Sequence, residues 1–593
     1  MKKIIYLLTA LMLCNQFYAQ DLDLKWAEKK FYNNKKDGFF SAFLSSNYKY
    51  TYTLNRNLAL SSKKANKKIK LIAHDKESMD QKFELALIGY PENKASAAKY
   101  KGLEYLKTAI YNNKVLVFWI KKDKNEQVVF VESFSENFKR DKKLTKIYTY
   151  NIPKGLHRRL LSNSSYINVL TNDQVDDLII IGSEVQYTDD EAVFEFIEVD
   201  QDLSILGKNE LRLPGVLEGK SYGKMSYYTL GGDRNIYIKT LIREDKEEIK
   251  KARKERKSIN YGYNIFSIWN TSLNNLTSFE LKEKDKIFND FSYEIYKDGI
   301  YIYGFFGDLS KDKTGNSTHG IFYTQIKGAD SDFNGVNYTY FTKNQIDELF
   351  KNDLEDKKQS YGITKRKKEK TQENADVSIS ASYTIENIFK DKGDIVLFFS
   401  KMNNYSVTTC STDANGNRTC HTRYYCAKSN VSSLKISEDG EVLWVSNIDR
   451  AITYNGTSIY DLNIVQNEDS YIVIYGSALK EVDGKKRKKR KKKSEARNYF
   501  EYGIFNKETG KNSKHIFQVN GKDEEEKKMV SAREIKVLDN RFYVSSVKVK
   551  QNWGKSIPLC IGGIACPYIA IIPFLNGNFK NGEGNLGIIT PLK

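Results

Sequence analysis

Seven short runs of β-branched and aromatic residues, each preceded by an Asn or Asp, constrain this chain more than any other feature. They are Val115 to Ile120, Leu178 to Ile181, Ile236 to Ile242, Ile300 to Phe306, Ile395 to Phe399, Tyr471 to Tyr475 and Phe542 to Val549. Each has the length and composition of a strand. The residues ahead of them are Asn113, Asp177, Asp233, Asp298, Asp394, Asp469 and Asn540, side chains that bond nearby backbone and tolerate tight turns. Around each run the same order recurs: a short apolar strand, a polar turn, the strongly apolar strand, a loop, a third strand, a second polar turn and a fourth strand. Seven anchors predict seven four-stranded units, spaced by 56 to 96 residues. Common propeller repeats span roughly 40 to 50 residues, so the loops here are enlarged.

A small sheet with two apolar faces buries both only between neighbours, and radial repetition supplies them. The expected fold is therefore all-β, a β-propeller of seven four-stranded blades over residues 102–593 with large loops on one face. Two stacked β-sandwiches would not require a common second-strand pattern along the whole stretch. Residues 21–101 do not fit the count cleanly. Tyr48 to Leu54, Ile69 to His74 and Phe83 to Tyr90 read as three strands, either a partial blade that makes the count eight or a segment that closes the ring. Thr342 as N-cap, with Ile346, Leu349, Phe350 and Leu354 at helical spacing, predicts one helix in the connection from the fourth to the fifth repeat. With 40% apolar and 13% aromatic residues the chain can bury a core, and only 7 prolines and 36 glycines exclude collagen-like and Pro-rich classes.

Residues 1–20 read as a secretory signal: Lys2 and Lys3, an apolar stretch from Ile4 to Cys14, then Phe17-Tyr18-Ala19-Gln20 at the cleavage point. The apolar stretch is too short to span a bilayer, and no later run of about 18 apolar residues follows, so no transmembrane segment is expected. Leu13 ahead of Cys14 is not the small residue a lipoprotein signal would carry. The net charge of +20 becomes +18 without Lys2 and Lys3.

The large inserts, at 244–260, 308–319, 402–429, 481–498 and 551–567, lie mostly between second and third strands, with another at 330–380. Equivalent hairpins of a propeller share a face, so these predict one crowded mouth, where function would lie. Lys485-Lys486-Arg487-Lys488-Lys489-Arg490-Lys491-Lys492-Lys493 is an unbroken cationic run, and Glu244 to Lys257 and Lys365 to Lys368 add further basic clusters. Such blocks stay extended until an anionic partner neutralises them: anionic lipid, lipopolysaccharide phosphates, an acidic protein or extracellular DNA, with binding that falls as salt rises. No aromatic residue interrupts the run, which argues against base stacking, and no sequence-specific nucleic-acid partner is expected.

Cys560-Ile561-Gly562-Gly563-Ile564-Ala565-Cys566 predicts a disulfide across a short Gly-Gly turn in an oxidising compartment, displaying Ile561 and Ile564 as a contact or folding them inward. Cys410, Cys420 and Cys426 share another insert. Cys410 with Cys420 and Cys420 with Cys426 are the alternatives, since five cysteines cannot all pair. His421 beside Cys420 raises a metal site, but without a Cys-x-x-Cys pair the spacing favours disulfides. His74, His157, His319 and His515 are dispersed. No Gly-x-Ser-x-Gly elbow, P-loop or dinucleotide fingerprint is present, so no catalytic, cofactor or metal residue is nominated and a non-enzymatic role is favoured. The many Tyr and Phe fit twisted strands as readily as carbohydrate stacking.

Two turns carry a resemblance. Ser437-Glu438-Asp439-Gly440-Glu441-Val442-Leu443-Trp444 and Asn506-Lys507-Glu508-Thr509-Gly510-Lys511 resemble the Asp-Gly…Trp and Asp-x-x-Thr-Gly turns between the outer strands of quinoprotein-like propellers. The resemblance covers two repeats and brings no quinone-binding residues. The Ala-Gln end of the signal resembles signals common in the Bacteroidota. That resemblance implies a periplasmic or outer-membrane destination, and the basic and disulfide-stapled loops would then supply the partner face of a binding or scaffold subunit, its partner an envelope protein or outer-membrane complex. By analogy, an accessory or pore-occluding subunit of the type 9 secretion translocon would be one such role. The alternatives are a propeller hydrolase or lyase acting on polysaccharide or peptide, and adhesion to anionic envelope surfaces.

Overall fold

A computed structural model describes residues 22–591 apart from short breaks and the segments 34–38, 57–67, 90–98, 152–166, 215–225, 244–261, 327–334, 351–377, 477–498, 520–529 and 551–579. Its described residues are almost entirely strand, in antiparallel sheets that follow one another along the chain. Numbered in chain order, sheet 1 spans 39–88, sheet 2 103–151, sheet 3 167–214, sheet 4 226–281, sheet 5 286–340, sheet 6 383–455, sheet 7 463–518 and sheet 8 536–591. Sheets 1 to 7 have four strands paired in sequence order. Sheet 8 takes its fourth strand, Leu22–Trp26, from the N-terminal region, in register from Leu22 opposite Pro591 to Trp26 opposite Gly587. This is a β-propeller.

The seven repeats expected from the sequence are sheets 2 to 8, and all seven apolar runs are second strands. Residues 21–101, left open between a partial blade and a closing strand, divide between the two roles. Phe39–Ser46 supplies the first strand that the pattern lacked, so 39–88 is a complete sheet, while Leu22–Trp26 completes sheet 8. Phe39–Ser46 escapes the pattern because two register shifts interrupt its alternation.

Each sheet buries both faces against its neighbours. Trp119 and Tyr105 of sheet 2 pack with Tyr52 and Leu71 of sheet 1, and Phe118 and Val131 with Ile179 and Ile181 of sheet 3. The same alternation continues along the chain until Tyr543 and Ile588 of sheet 8 meet Phe43 of sheet 1. The aromatic residues are largely interior: Trp119, Trp269, Tyr52, Tyr237 and Tyr475 are fully buried.

First strands of neighbouring sheets approach one another, which makes them the inner strands. Polar side chains tie them laterally. Lys107 Nζ donates to the Val169 carbonyl at 2.9 Å, Asn172 Nδ2 to the Leu230 carbonyl at 2.9 Å, and Asn463 Nδ2 to the Ala532 carbonyl at 3.0 Å. Asp290 accepts from the Ile385 amide at 2.8 Å. Among the turn anchors, Asn540 clasps both the amide and the carbonyl of Gln466 in the neighbouring sheet, at 2.8 Å each. Asp233 caps the Asn235 amide in its own turn. Asp177 departs from expectation: it lies within the strand Val175–Tyr187, not in a turn.

The expected helix forms over Lys343–Phe350, capped reciprocally: the Gln345 amide donates to Thr342 Oγ1 and the Thr342 amide to Gln345 Oε1. Ile346 and Leu349 face the core shared by sheets 5 and 6, and Leu354 lies outside the described residues. The insert expected at 330–380 also contains the fourth strand of sheet 5, Asn337–Tyr340.

The two turns that resemble quinoprotein-like repeats have a structural use. Gly440 (φ 85°) lies under the Tyr323 ring of sheet 5, and Gly510 (φ 66°) under Trp444 of sheet 6, where a Cβ would come within 2.5 Å of the indole. Trp444 Nε1 donates to the Lys507 carbonyl at 3.2 Å. An aromatic ring on one sheet thus caps the glycine turn of the next. Gly510→Ala should cost about 2 kcal/mol, from left-handed backbone and the ring contact together. In a Trp444→Ala background the cost should fall to about 1 kcal/mol, leaving the backbone part. Denaturant unfolding of the four-member cycle measures the coupling; additive effects would disprove the ring contact.

Candidate functional site

The insert at 402–429, expected as a loop, is instead a two-stranded ribbon. The second and third strands of sheet 6, Asp394–Thr412 and Arg418–Ile436, run to 19 residues each, buried in the sheet and exposed beyond it. The sequence signal was present: Thr-, Tyr- and Val-rich runs flank Asp413-Ala414-Asn415-Gly416-Asn417, a hairpin pattern that the clustered cysteines obscured. An isolated pair of strands is marginal in water. Here Cys410 and Cys420 stand directly opposite one another and form a disulfide. Tyr405 stacks on Tyr425 at 5.3 Å, and Thr408 and Thr422 share a hydroxyl hydrogen bond of 2.8 Å. In a chain-entropy account, a loop as short as that between the two cysteines yields about 2–3 kcal/mol.

Of the two pairings open from sequence, Cys410 with Cys420 is the one formed. Cys426, expected among the disulfide cysteines, is a free and fully buried thiol opposite Asn404 and Tyr454. Its side chain belongs to the root of the ribbon, where it meets the sheet. His421 is exposed on the ribbon beside a cysteine already committed to a disulfide. The other described histidines, His74, His319 and His515, lie in sheets 1, 5 and 7, and the structure does not bring them together.

The ribbon's root is a buried charge network. Lys428 Nζ reaches Glu386 Oε1 at 2.7 Å and Asp461 Oδ1 at 3.0 Å. Arg450 Nη1 meets Asp461 Oδ2 at 2.9 Å, Tyr454 donates to the same oxygen at 2.6 Å, and Arg450 Nε donates to the Asn430 carbonyl at 3.2 Å. Ser400 Oγ also donates to Glu386 Oε1. All four charged side chains are essentially excluded from solvent. Glu386 gets there because a bulge between Ile385 and Asn387 turns an inner-strand residue out of register. Asp461 lies two residues ahead of the first strand of sheet 7, Asn463–Gln466, so the network also joins sheets 6 and 7. Burial pushes the Asp461 carboxyl up, but Arg450 and Lys428 outweigh it and hold it below the ordinary carboxylate range. Sequence reasoning missed these residues because charges scattered over three strands and a connection converge only in the fold.

Other nominated residues stand elsewhere. Lys485 to Lys493, Cys560, Ile561, Ile564 and Cys566, the clusters at 244–257 and 365–368, and the signal at 1–20 lie outside the described residues. The strands flanking 244–261, 477–498 and 551–579 are the second and third strands of sheets 4, 7 and 8. These inserts therefore leave from the same strand ends as the ribbon. No described helix is long and apolar enough to cross a membrane, and no described cluster of His, Cys, Asp or Glu could hold a metal ion.

Two carboxylates on the first strand of sheet 5 are pushed up by burial, Asp290, which has Lys239 beside it, and Glu294. Glu294, opposite Tyr301 in sheet 5, has its carboxyl pushed up to about 7 by burial.

No family model matches the chain, and no curated protein matches it. Among solved structures, the β-propeller domain of the Trilobed protease from Pyrococcus furiosus aligns at 9% identity and a TM-score of 0.32, over 83% of this chain and 98% of that one. A PL25 ulvan lyase aligns at 9% and 0.32, over 83% and 96%. A post-proline cleaving enzyme from Rickettsia typhi aligns at 12% and 0.29, over 79% and 58%. At these scores the likenesses carry no argument about activity, and the propeller assignment rests on the order and packing of the sheets.

The root and the tip of the ribbon should respond differently to substitution. Lys428→Met leaves two buried carboxylates to one guanidinium and should destabilise the protein by about 3–5 kcal/mol in denaturant unfolding. Replacing Cys410 and Cys420 with serine should leave the main unfolding midpoint unchanged while accelerating amide exchange across 403–425. A shared loss of midpoint would show that the ribbon is not a separable element.

The Glu294 shift carries a pH sign. Its folded-state value is raised, so the native state holds the proton from the ordinary value of 4.5 up to about 7, and stability falls as pH rises through that window. The loss amounts to about 3 kcal/mol by pH 8. Glu294→Gln should raise the unfolding free energy at pH 8 and leave it unchanged at pH 4; equal effects at both would remove burial as the cause.

Proposed function

We propose that this chain is an exported, non-enzymatic β-propeller that binds a partner protein of the cell envelope through its insert-bearing face. The supporting observation is the ribbon: a stapled, projecting element whose exposed Tyr405, Val407 and Tyr424 add nothing to the propeller core, yet whose root consumes a buried charge network. Exposed aromatic side chains on a preorganised element lose little freedom on binding and suit a protein contact. The partner in this reading is an outer-membrane complex, of which the type 9 secretion translocon is one case, named by analogy and not from a motif in the sequence. Co-purification from gently solubilised native envelopes tests it: recovery with an outer-membrane complex is expected, and recovery only as a free monomer would sink the reading.

Glu294 gives the hydrolase or lyase alternative its one observation, since a carboxyl held near 7 is suited to general acid–base work. Turnover of a polysaccharide or peptide that Glu294→Gln abolishes would replace the binding reading.

A further inference from the structure

Among the described residues both ribbon strands run past their outer neighbours, Asp394–Thr412 beyond Lys401 and Arg418–Ile436 beyond Tyr425, and of the two edges only the latter, Arg418 to Arg423, carries charge. The Arg418–Ile436 strand is flanked by Val442–Asn455 from Tyr425 inward, and the Tyr424 carbonyl accepts from the Gly456 amide at 2.9 Å. From Arg418 to Arg423 the strand pairs only with 407–412 of the same ribbon. An antiparallel edge presents backbone donors and acceptors to any strand that lies beside it.

The charge on that edge is one-sided. Arg418 and Arg423 are exposed, and between Met402 and Ala427 the sequence has a single carboxylate, Asp413. Arg423 shares a ribbon face with Tyr405 and Val407, while Arg418 lies on the disulfide face. Five residues of strand separate the two guanidinium groups by roughly 17 Å along the edge. Duplex DNA carries one charge per about 1.7 Å, so two cations this sparse match carboxylates placed along a strand better than a dense phosphate array.

We propose that an acidic extended segment of a partner protein adds as a strand to the Arg418–Arg423 edge, its backbone pairing with the ribbon and its carboxylates meeting Arg418 and Arg423. This rests on the binding role proposed above and names how that binding occurs.

The test uses the full-length mature protein and three probes: an eight-residue Glu/Val peptide with Glu at positions 2 and 7, whose carboxylates fall on opposite faces as Arg418 and Arg423 do, a Glu/Pro peptide of equal charge that cannot donate strand hydrogen bonds, and phosphatidylglycerol vesicles. The Glu/Val peptide should bind, by fluorescence anisotropy, at least tenfold more tightly than the Glu/Pro peptide. Arg418→Glu with Arg423→Glu should weaken it at least tenfold at an unchanged melting temperature, and Arg418→Lys with Arg423→Lys should retain binding. Equal binding of the two peptides, no binding of either, or arginine-dependent binding of vesicles alone would overturn the proposal. The envelope pull-down separates this from the broader reading. If wild type and the charge-reversed variant co-purify with the complex equally, the edge is not the contact and the binding role stands; if neither does, both fall.

Discussion

Each sheet of this protein is apolar on both faces, so each depends on a neighbour on either side, and the rest of the structure follows from that requirement. Residues alternate along a strand, which sends Phe118 and Leu116 toward sheet 3 while Trp119 and Val117 turn toward sheet 1. Repeated from sheet to sheet, this leaves the first and last sheets each wanting a partner. Phe43, Tyr543 and Ile588 supply it, and Leu22–Trp26 covers the edge of the final strand that would otherwise template pairing with another chain. The inner strands add polar ties to this apolar packing: Lys107, Asn172 and Asp290 pair with backbone groups of the next sheet, and Asn463 with the Ala532 carbonyl just ahead of sheet 8.

The ribbon is where that logic is set aside. Sheet 6 continues its two middle strands past the body of the propeller, losing the neighbours that bury the other strands. What replaces apolar packing is specific chemistry: a disulfide near the tip, a tyrosine stack in the middle and a four-charge network at the root. Buried ion pairs seldom improve stability over apolar residues of the same volume, but they are intolerant of misalignment. Their place here, across the join between sheets 6 and 7, fits a role in fixing the direction in which the ribbon leaves the sheet.

Much of the fold was legible because the second strands are apolar on both faces and so read as continuous runs, Ile395 to Phe399 being typical. Phe39–Ser46 was not, since inner strands are bulged and partly polar and its alternation is broken twice. The turns at Gly440 and Gly510 were recognised from their residues, but their dependence on Tyr323 and Trp444 was not, because those rings come from the preceding sheet. The ribbon differs from the expected loop because its strands face water on both sides, so the apolar signal that marks a buried strand is absent, although Thr, Tyr and Val persist in sequence on both sides of Asn415-Gly416.

The sequence by itself determined the repeat, the position of the strongest strand in each unit and the hairpins that carry the inserts, because strand period and turn chemistry are local. Tertiary structure decided the number of sheets among the described residues, the pairing of Leu22–Trp26 with the far end of the chain, the choice of Cys410 over Cys426 as the partner of Cys420, and the convergence of Glu386, Lys428, Arg450 and Asp461. Those outcomes depend on which residues meet across sheets. Spacing along the chain does not encode that when register shifts at bulges decide which way a side chain points.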